Sequence, residues 1–249
     1  MKVLDLFSGI GGFSLGLERA GFSTVAFCEI EDYPCSVLAR NWPSIPIYND
    51  VADLTVEKLN EDGIAVDVIC GGFPCQDISL AGDQQGIGEK TRSGLWSECA
   101  RLLREVRPRY AIFENVTNLL AGGNGGWFKR ILWDIHKVGY DAEWHCIPAS
   151  QLGANHHRDR VWIIAYPISE GLQGSSQARN TSPKGARLNK LLTRSFCSFR
   201  SHSAYEPTIC GMPNGIPRRV DRIKALGNAV CPQIPEVIGR AIMELENER

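Results

Sequence analysis

A cysteine stands directly after a proline in Pro74-Cys75, downstream of the apolar run Val66-Asp67-Val68-Ile69-Cys70 and the break Gly71-Gly72. A strand that ends in such a loop delivers its next side chains to the carboxyl edge of a sheet, where open α/β folds gather ligands and reacting groups. A thiol held there on a proline-stiffened turn is placed to act as a nucleophile. The competing reading is a structural cysteine, because free thiols are among the most buried side chains. Glu114 follows a second apolar run, Tyr110-Ala111-Ile112-Phe113. A carboxylate at such a strand end either caps the next helix or does acid-base work. Arg158 and Arg160 open a third run, Val161-Trp162-Ile163-Ile164-Ala165. Two residues apart on a strand, they share one face and can grip an anion, although an isolated Arg-x-Arg is more often a solvated strand edge.

These groups need a frame. Val3-Leu4-Asp5-Leu6-Phe7 reads as a first strand, and Ser8-Gly9-Ile10-Gly11-Gly12 leads from it into a helical pattern through Leu15, Leu17 and Ala20. Glycines there let backbone amides approach a cofactor at a helix N-terminus. The next strand, Thr24–Cys28, ends at Glu29, whose carboxylate can accept hydrogen bonds from ribose hydroxyls. Strand, glycine loop, helix, strand and terminal acid form the signature of a nucleoside-cofactor site. The alternation continues with a helix over 32–41, a short strand Ile45–Tyr48 ending at Asn49-Asp50, and an amphipathic helix over 95–106. Glu29, Asp50, Cys75 and Glu114 therefore converge on one rim. The long polar segment 76–94 begins at Cys75 and has the composition of a lid.

The ordered segments Phe7-Ser8-Gly9-Ile10-Gly11, Pro74-Cys75-Gln76, Glu114-Asn115-Val116, Arg158-Asp159-Arg160 and Gly227-Asn228-Ala229-Val230 resemble the motifs of DNA (cytosine-5) methyltransferases. The resemblance covers residues 1–165 and about 218–249. It implies an α/β, Rossmann-like methyltransferase fold, a mostly parallel twisted sheet with helices on both faces and a small late insertion. Three parts follow: a catalytic, cofactor-binding domain over 1–165, a small basic target-recognition region over 166–217, and a segment 218–249 packing back on the catalytic domain. The implied cofactor is S-adenosyl-L-methionine, with Phe7, Gly9, Ile10, Gly11, Gly12, Glu29, Ile30, Asp50, Val51, Pro74, Leu95, Asn228 and Val230 at its site. Cys75 would be the nucleophile, Glu114 the acid that engages the base, and Arg158 and Arg160 their catalytic companions.

That chemistry suits the residue types. Carbon 5 of cytosine is a poor nucleophile until a thiolate adds at carbon 6, and a carboxyl raised in pKa by partial burial can protonate ring nitrogen 3. The base must leave the duplex, at a cost of about a few kcal/mol. The implied substrate is double-stranded DNA, with Gln76 and Ser79 as contacts. Two other functions share the features: a cytosine-5 methyltransferase acting on transfer RNA, and a regulator that binds the cofactor without catalysis. The family commonly has glutamine where His156 stands, which leaves the arginine roles intact. Its usual Arg-Leu-Thr element in the recognition region is not recognisable.

Composition agrees with a soluble intracellular enzyme. The 249 residues hold no apolar stretch of membrane-spanning length, and Met1 leads directly into the first strand. Nine scattered cysteines fit a reducing compartment, and with no Cys-x-x-Cys pair and adjacent histidines that point apart, no metal is expected. The net charge of −1 hides an asymmetry, since residues 170–224 hold ten Lys or Arg against three acids. Within this basic stretch Arg187, Lys190 and Arg194 are candidate phosphate contacts. The reading closes on a monomeric, cytoplasmic protein of prokaryotic or phage origin with a cognate restriction endonuclease as partner.

Overall fold

The computed structural model describes residues 1–74, 95–154, 158–168, 183–198 and 218–248. Cys75, Gln76 and Ser79 lie outside them. Seven strands form one sheet: β1 (Lys2–Leu6), β2 (Ser23–Cys28), β3 (Ile47–Tyr48), β4 (Val68–Gly72), β5 (Tyr110–Val116), β6 (Tyr140–Pro148) and β7 (Asp159–Pro167). Their order is β3-β2-β1-β4-β5-β7-β6. The first five run parallel, and β7 pairs antiparallel with both β5 and β6. Strand order reverses between β1 and β4, so the crevice of this sheet opens at the carboxyl ends of those two strands.

The central strands are mostly apolar because both sheet faces are covered, with Asp5 in β1 and Glu114 and Asn115 in β5 as buried exceptions. One face carries α3 (Val56–Glu61), α4 (Trp96–Val106) and α6 (Gly126–Lys137), whose buried Leu59, Trp96, Leu102, Leu103 and Ile131 meet Leu4, Leu6 and Phe113. The other carries α1 (Gly12–Arg19), α7 (Pro183–Ser198) and α9 (Gln233–Asn247), with Phe13, Leu17, Leu188, Leu192, Val237, Ile238 and Ile242 against Val3, Ile112, Trp162 and Ile164. Two helices flank the crevice rim, α2 (Asp32–Asn41) and α8 (Arg219–Asn228), and the short α5 (Asn118–Ala121) follows β5.

Three features differ from the sequence reading. The strand ending at Glu29's rim partner is shorter, two residues of β3 in place of four. Glu114 lies inside β5 rather than past its end, because the antiparallel ladder with β7 continues from Ala111 through Val116. The basic stretch set apart as a recognition region contributes α7 to the main core, with Leu188, Leu191, Leu192 and Phe196 buried among α9 and the sheet.

Asp5 is fully buried in β1. Its Oδ2 accepts hydrogen bonds from the Ser14 hydroxyl at 2.7 Å and the Ser14 amide at 3.3 Å, while Oδ1 has no partner. Loss of water pushes its carboxyl up to about 7, more than the Ser14 and Cys70 hydrogen bonds bring it down. The folded chain thus keeps a proton that the unfolded chain releases near pH 4, and folding stability falls as pH rises from about 4 through 7. Asp5→Asn, which cannot ionise, should remove that decline, on the order of 4 kcal/mol at pH 8 relative to pH 4. Urea titrations of both proteins at the two pH values check this, and parallel pH dependences would contradict it.

Candidate active site

Loops after β1, β2, β3 and β4 enclose a cavity of about 400 Å³ at the carboxyl edge of the sheet. That volume is in the range of small-molecule sites. Phe7 enters the first loop at a φ of 50°, a conformation that a side chain disfavours and that redirects the chain after β1. Ser8 ties this turn to its neighbour: its hydroxyl donates to the Asp5 carbonyl at 2.6 Å and accepts from the Cys28 amide at 3.2 Å. Glu29, 8% exposed, then receives the Gly9 amide on Oε2 at 2.7 Å and the Glu31 amide on Oε1 at 2.8 Å. A carboxylate oxygen has two acceptor sites, so each keeps capacity toward the cavity. Asp50 accepts the Ala52 amide at 2.9 Å, an Asx turn that shapes the loop carrying Val51.

Phe7, Gly9, Glu29, Ile30, Asp50, Val51, Pro74, Leu95 and Asn228, all named from sequence, line the cavity. Ile10, Gly11, Gly12 and Val230 do not. Both glycines stand at close packing contacts. A Cβ on Gly12 would lie 2.5 Å from the Val230 carbonyl oxygen, and one on Gly11 would lie 2.6 Å from the Trp42 ring. Their absence of side chains lets the start of α1 seat against the Asn228–Val230 segment and α2.

At the β5 side of the cavity Glu114, 9% exposed, accepts from Arg160 Nε at 2.8 Å. Burial raises its carboxyl pKa, and the charges of Arg160 and Arg158 only partly offset this. A proton is therefore held here more readily than on an exposed glutamate. The two arginines divide their work: Arg160 holds Glu114, whereas Arg158 Nη1 donates to the Gly227 carbonyl at 2.5 Å and anchors the end of α8.

Several contributors are not legible as site residues in the sequence. Asn115, 1% exposed, donates from Nδ2 to the Phe73 carbonyl at 3.0 Å, so β5 fixes the turn that immediately precedes Cys75. Lys224, counted in the sequence only among basic-stretch cations, pairs with Glu31 at 2.6 Å and closes α8 onto the cavity rim. Arg218 stacks over Tyr33 at 5.6 Å in the same clasp.

The six cysteines whose side chains are described, Cys28, Cys35, Cys70, Cys99, Cys146 and Cys231, are free thiols. Burial raises every one of their pKa values, Cys28 to about 12. None of these six is set up as a thiolate at neutral pH. Among the described residues no cluster of metal-ligating side chains occurs, and no helix is long and apolar enough to cross a membrane.

The three candidate phosphate contacts sit on α7. Arg187 pairs with Glu248, just past the end of α9, and Arg194 with Glu244 in α9; both pairs are exposed, as is Lys190. Lys184, one turn before Arg187, lies over the ring of Tyr110, the residue that opens β5. Helix α7 thus starts at the sheet edge opposite the cavity.

The family model for C-5 cytosine-specific DNA methylase matches residues 1–208. The Type II methyltransferase M.HgiBI of Herpetosiphon aurantiacus is 35% identical over 176 residues, which are 70% of this chain and 39% of that protein. The Type II methyltransferase M.AquIA of Picosynechococcus sp. is 30% identical over 212 residues, 77% of this chain and 85% of that one. The chain spans about two fifths of the length of the first of these curated relatives. Among solved structures, a candidate DNA modification methyltransferase encoded within an E. coli prophage superposes with a TM-score of 0.68 at 21% identity over 99% of both chains. The Entamoeba histolytica methyltransferase EhMeth gives 0.56 at 14% identity, covering 100% of this chain and 99% of that one. These superpositions bear on the fold.

Proposed function

The chain belongs to the C-5 cytosine-specific DNA methylases, and from that premise we propose that it transfers a methyl group from S-adenosylmethionine to carbon 5 of cytosine in double-stranded DNA through an adduct on Cys75. The observation that carries this reading is one cavity that joins the amide-held Glu29 carboxylate to the Glu114–Arg160 pair, beside the turn that leads into Cys75.

The lining fits the cofactor: Glu29 offers acceptors for ribose hydroxyls, and Asp50, Val51, Ile30 and Leu95 supply a mixed polar and apolar wall for a nucleoside. Bound S-adenosylmethionine would supply an electrophilic methyl group on a sulfonium. In the reading proposed, the Cys75 thiolate adds to carbon 6 of an extruded cytosine. Glu114 gives its proton to ring nitrogen 3, and Arg160, fixed on the same carboxyl, neutralises it as it becomes anionic. The adduct would make carbon 5 nucleophilic toward that methyl group; loss of the carbon-5 proton to a base then lets the Cys75 thiolate leave as the double bond re-forms, and nitrogen 3 returns its proton to Glu114. Asn115, by holding the Phe73 carbonyl, keeps the approach to Cys75 in place. Gln76 and Ser79 are proposed to face the DNA. A monomeric, cytoplasmic enzyme with a restriction endonuclease of matching specificity completes the proposal.

Bisulfite sequencing of DNA from cells expressing the chain tests the function, with protected cytosines in a fixed sequence context expected and uniform conversion contradicting it. The cofactor side has its own test. Glu29→Ala should weaken S-adenosylmethionine binding by about 1.5–3 kcal/mol, the cost of a lost hydrogen bond to a charged group. Calorimetry on the folded variant reads this directly, and unchanged affinity would place the ribose elsewhere.

A further inference from the structure

Arg101 lies on α4, and its side chain is 21% exposed. Its guanidinium spreads across two elements. Nε donates to Glu98 at 2.7 Å and Nη1 to Glu105 at 2.8 Å, both on its own helix. Nη2 reaches across to the β3–α3 connection and donates to two backbone carbonyls, Val51 at 2.9 Å and Leu54 at 2.8 Å. The two glutamates aim the fork, one per flank, and the remaining amino group holds the loop at two points three residues apart.

The loop held this way is the one that presents Asp50 and Val51 to the cavity. It has little other regular structure to hold it: β3 ends at Tyr48, and α3 begins only at Val56 after its Thr55 cap. Apolar burial of Val51 and Leu54 draws it inward, but burial is non-directional and does not fix where the Asp50 carboxylate points. The Asx turn orients the Asp50 carboxylate within the loop, and two hydrogen bonds from one planar, always charged group fix where the loop as a whole sits against α4, a fork that a lysine's single ammonium cannot reproduce.

We infer that Arg101 is a positioning residue that sets the nucleoside-side wall of the cofactor site by clamping the Val51 and Leu54 carbonyls to α4. The inference rests on the cofactor reading given above for Asp50 and Val51. Without the clamp the loop samples other arrangements, and the apparent dissociation constant rises in inverse proportion to the fraction of time the loop is correctly placed. The chemical step at Glu114 lies on the other side of the cavity and is not touched by this loop.

Arg101→Lys keeps the charge between Glu98 and Glu105 and loses the fork. It should weaken S-adenosylmethionine binding roughly tenfold, as for a loop correctly placed about a tenth of the time, with kcat at saturating cofactor unchanged. In an Asp50→Ala background the same change should cost much less, since the group being positioned is gone. Hydrogen exchange of the 51–55 amides without cofactor should be faster in Arg101→Lys than in the parent. Equal exchange, or an equal affinity loss with and without Asp50, would overturn the inference. A parent protein that binds no S-adenosylmethionine would instead overturn the proposed function, and the exchange comparison would still decide the clamp.

Discussion

Cys75→Ser is expected to abolish methyl transfer while S-adenosylmethionine binding stays at the parent level. A serine hydroxyl is far less acidic than a thiol of ordinary pKa near ~8.5, so the anion needed to attack carbon 6 is all but absent at neutral pH. None of the six cysteines with described side chains is suited to take over, because burial raises the pKa of each, and Cys70, the nearest in sequence, is fully enclosed in β4. Affinity is expected to survive because the Glu29 and Asp50 carboxylates and the Ile30 and Val51 walls come from other loops. The paired readout, label transfer to DNA and calorimetry with the cofactor, separates loss of chemistry from loss of folding. Serine turnover at the parent rate would refute the nucleophile, and loss of binding in a folded variant would show that Cys75 belongs to the cofactor site.

Glu114→Gln should lower kcat by roughly 10²–10⁴, the usual contribution of a general acid. The amide preserves the volume and can still accept the hydrogen bond from Arg160, so the change removes the transferable proton and little else. The pH profile carries the sign. Burial raises the Glu114 pKa despite Arg160 and Arg158, and the protonated form, present below that pKa, is the one proposed to donate to nitrogen 3. Activity in the parent should therefore fall on the alkaline side of the Glu114 pKa, opposed on the acid side by protonation of the Cys75 thiolate. Rate measurements across pH would show the alkaline limb lost in Glu114→Gln, and a variant with parental kcat would remove Glu114 from the mechanism.

The sheet and its chemical edge were legible in the sequence because the signals are local. Apolar runs ending at Phe7, Cys28 and Gly72 deliver the cavity's first loops, and the glycine loop with Glu29 twenty residues past Gly9 needed only spacing to be seen. What escaped depends on partners distant in sequence. Gly11 and Gly12 read as cofactor glycines, and the close approach of Trp42 and the Val230 carbonyl, which bars a side chain at each, comes from elements distant in sequence. The role of Asn115 is set by Phe73, and that of Lys224 by Glu31, separations of 42 and 193 residues. In α7 the signal was present: Leu188, Leu191, Leu192 and Phe196 recur at helical spacing and mark a buried face. The cations of the same segment drew the reading toward phosphate, while two of them make exposed ion pairs with Glu244 of α9 and Glu248 just past its end.

Methyl transfer by the proposed route requires a covalent bond between Cys75 and carbon 6 of a cytosine. DNA carrying 5-fluorocytosine in the context found by bisulfite sequencing tests it most directly, since fluorine cannot leave carbon 5 as a proton does. The account predicts a protein–DNA species that survives denaturation, forms only with S-adenosylmethionine present and is absent in Cys75→Ser. An enzyme that methylates ordinary DNA in that context yet forms no such species would contradict it.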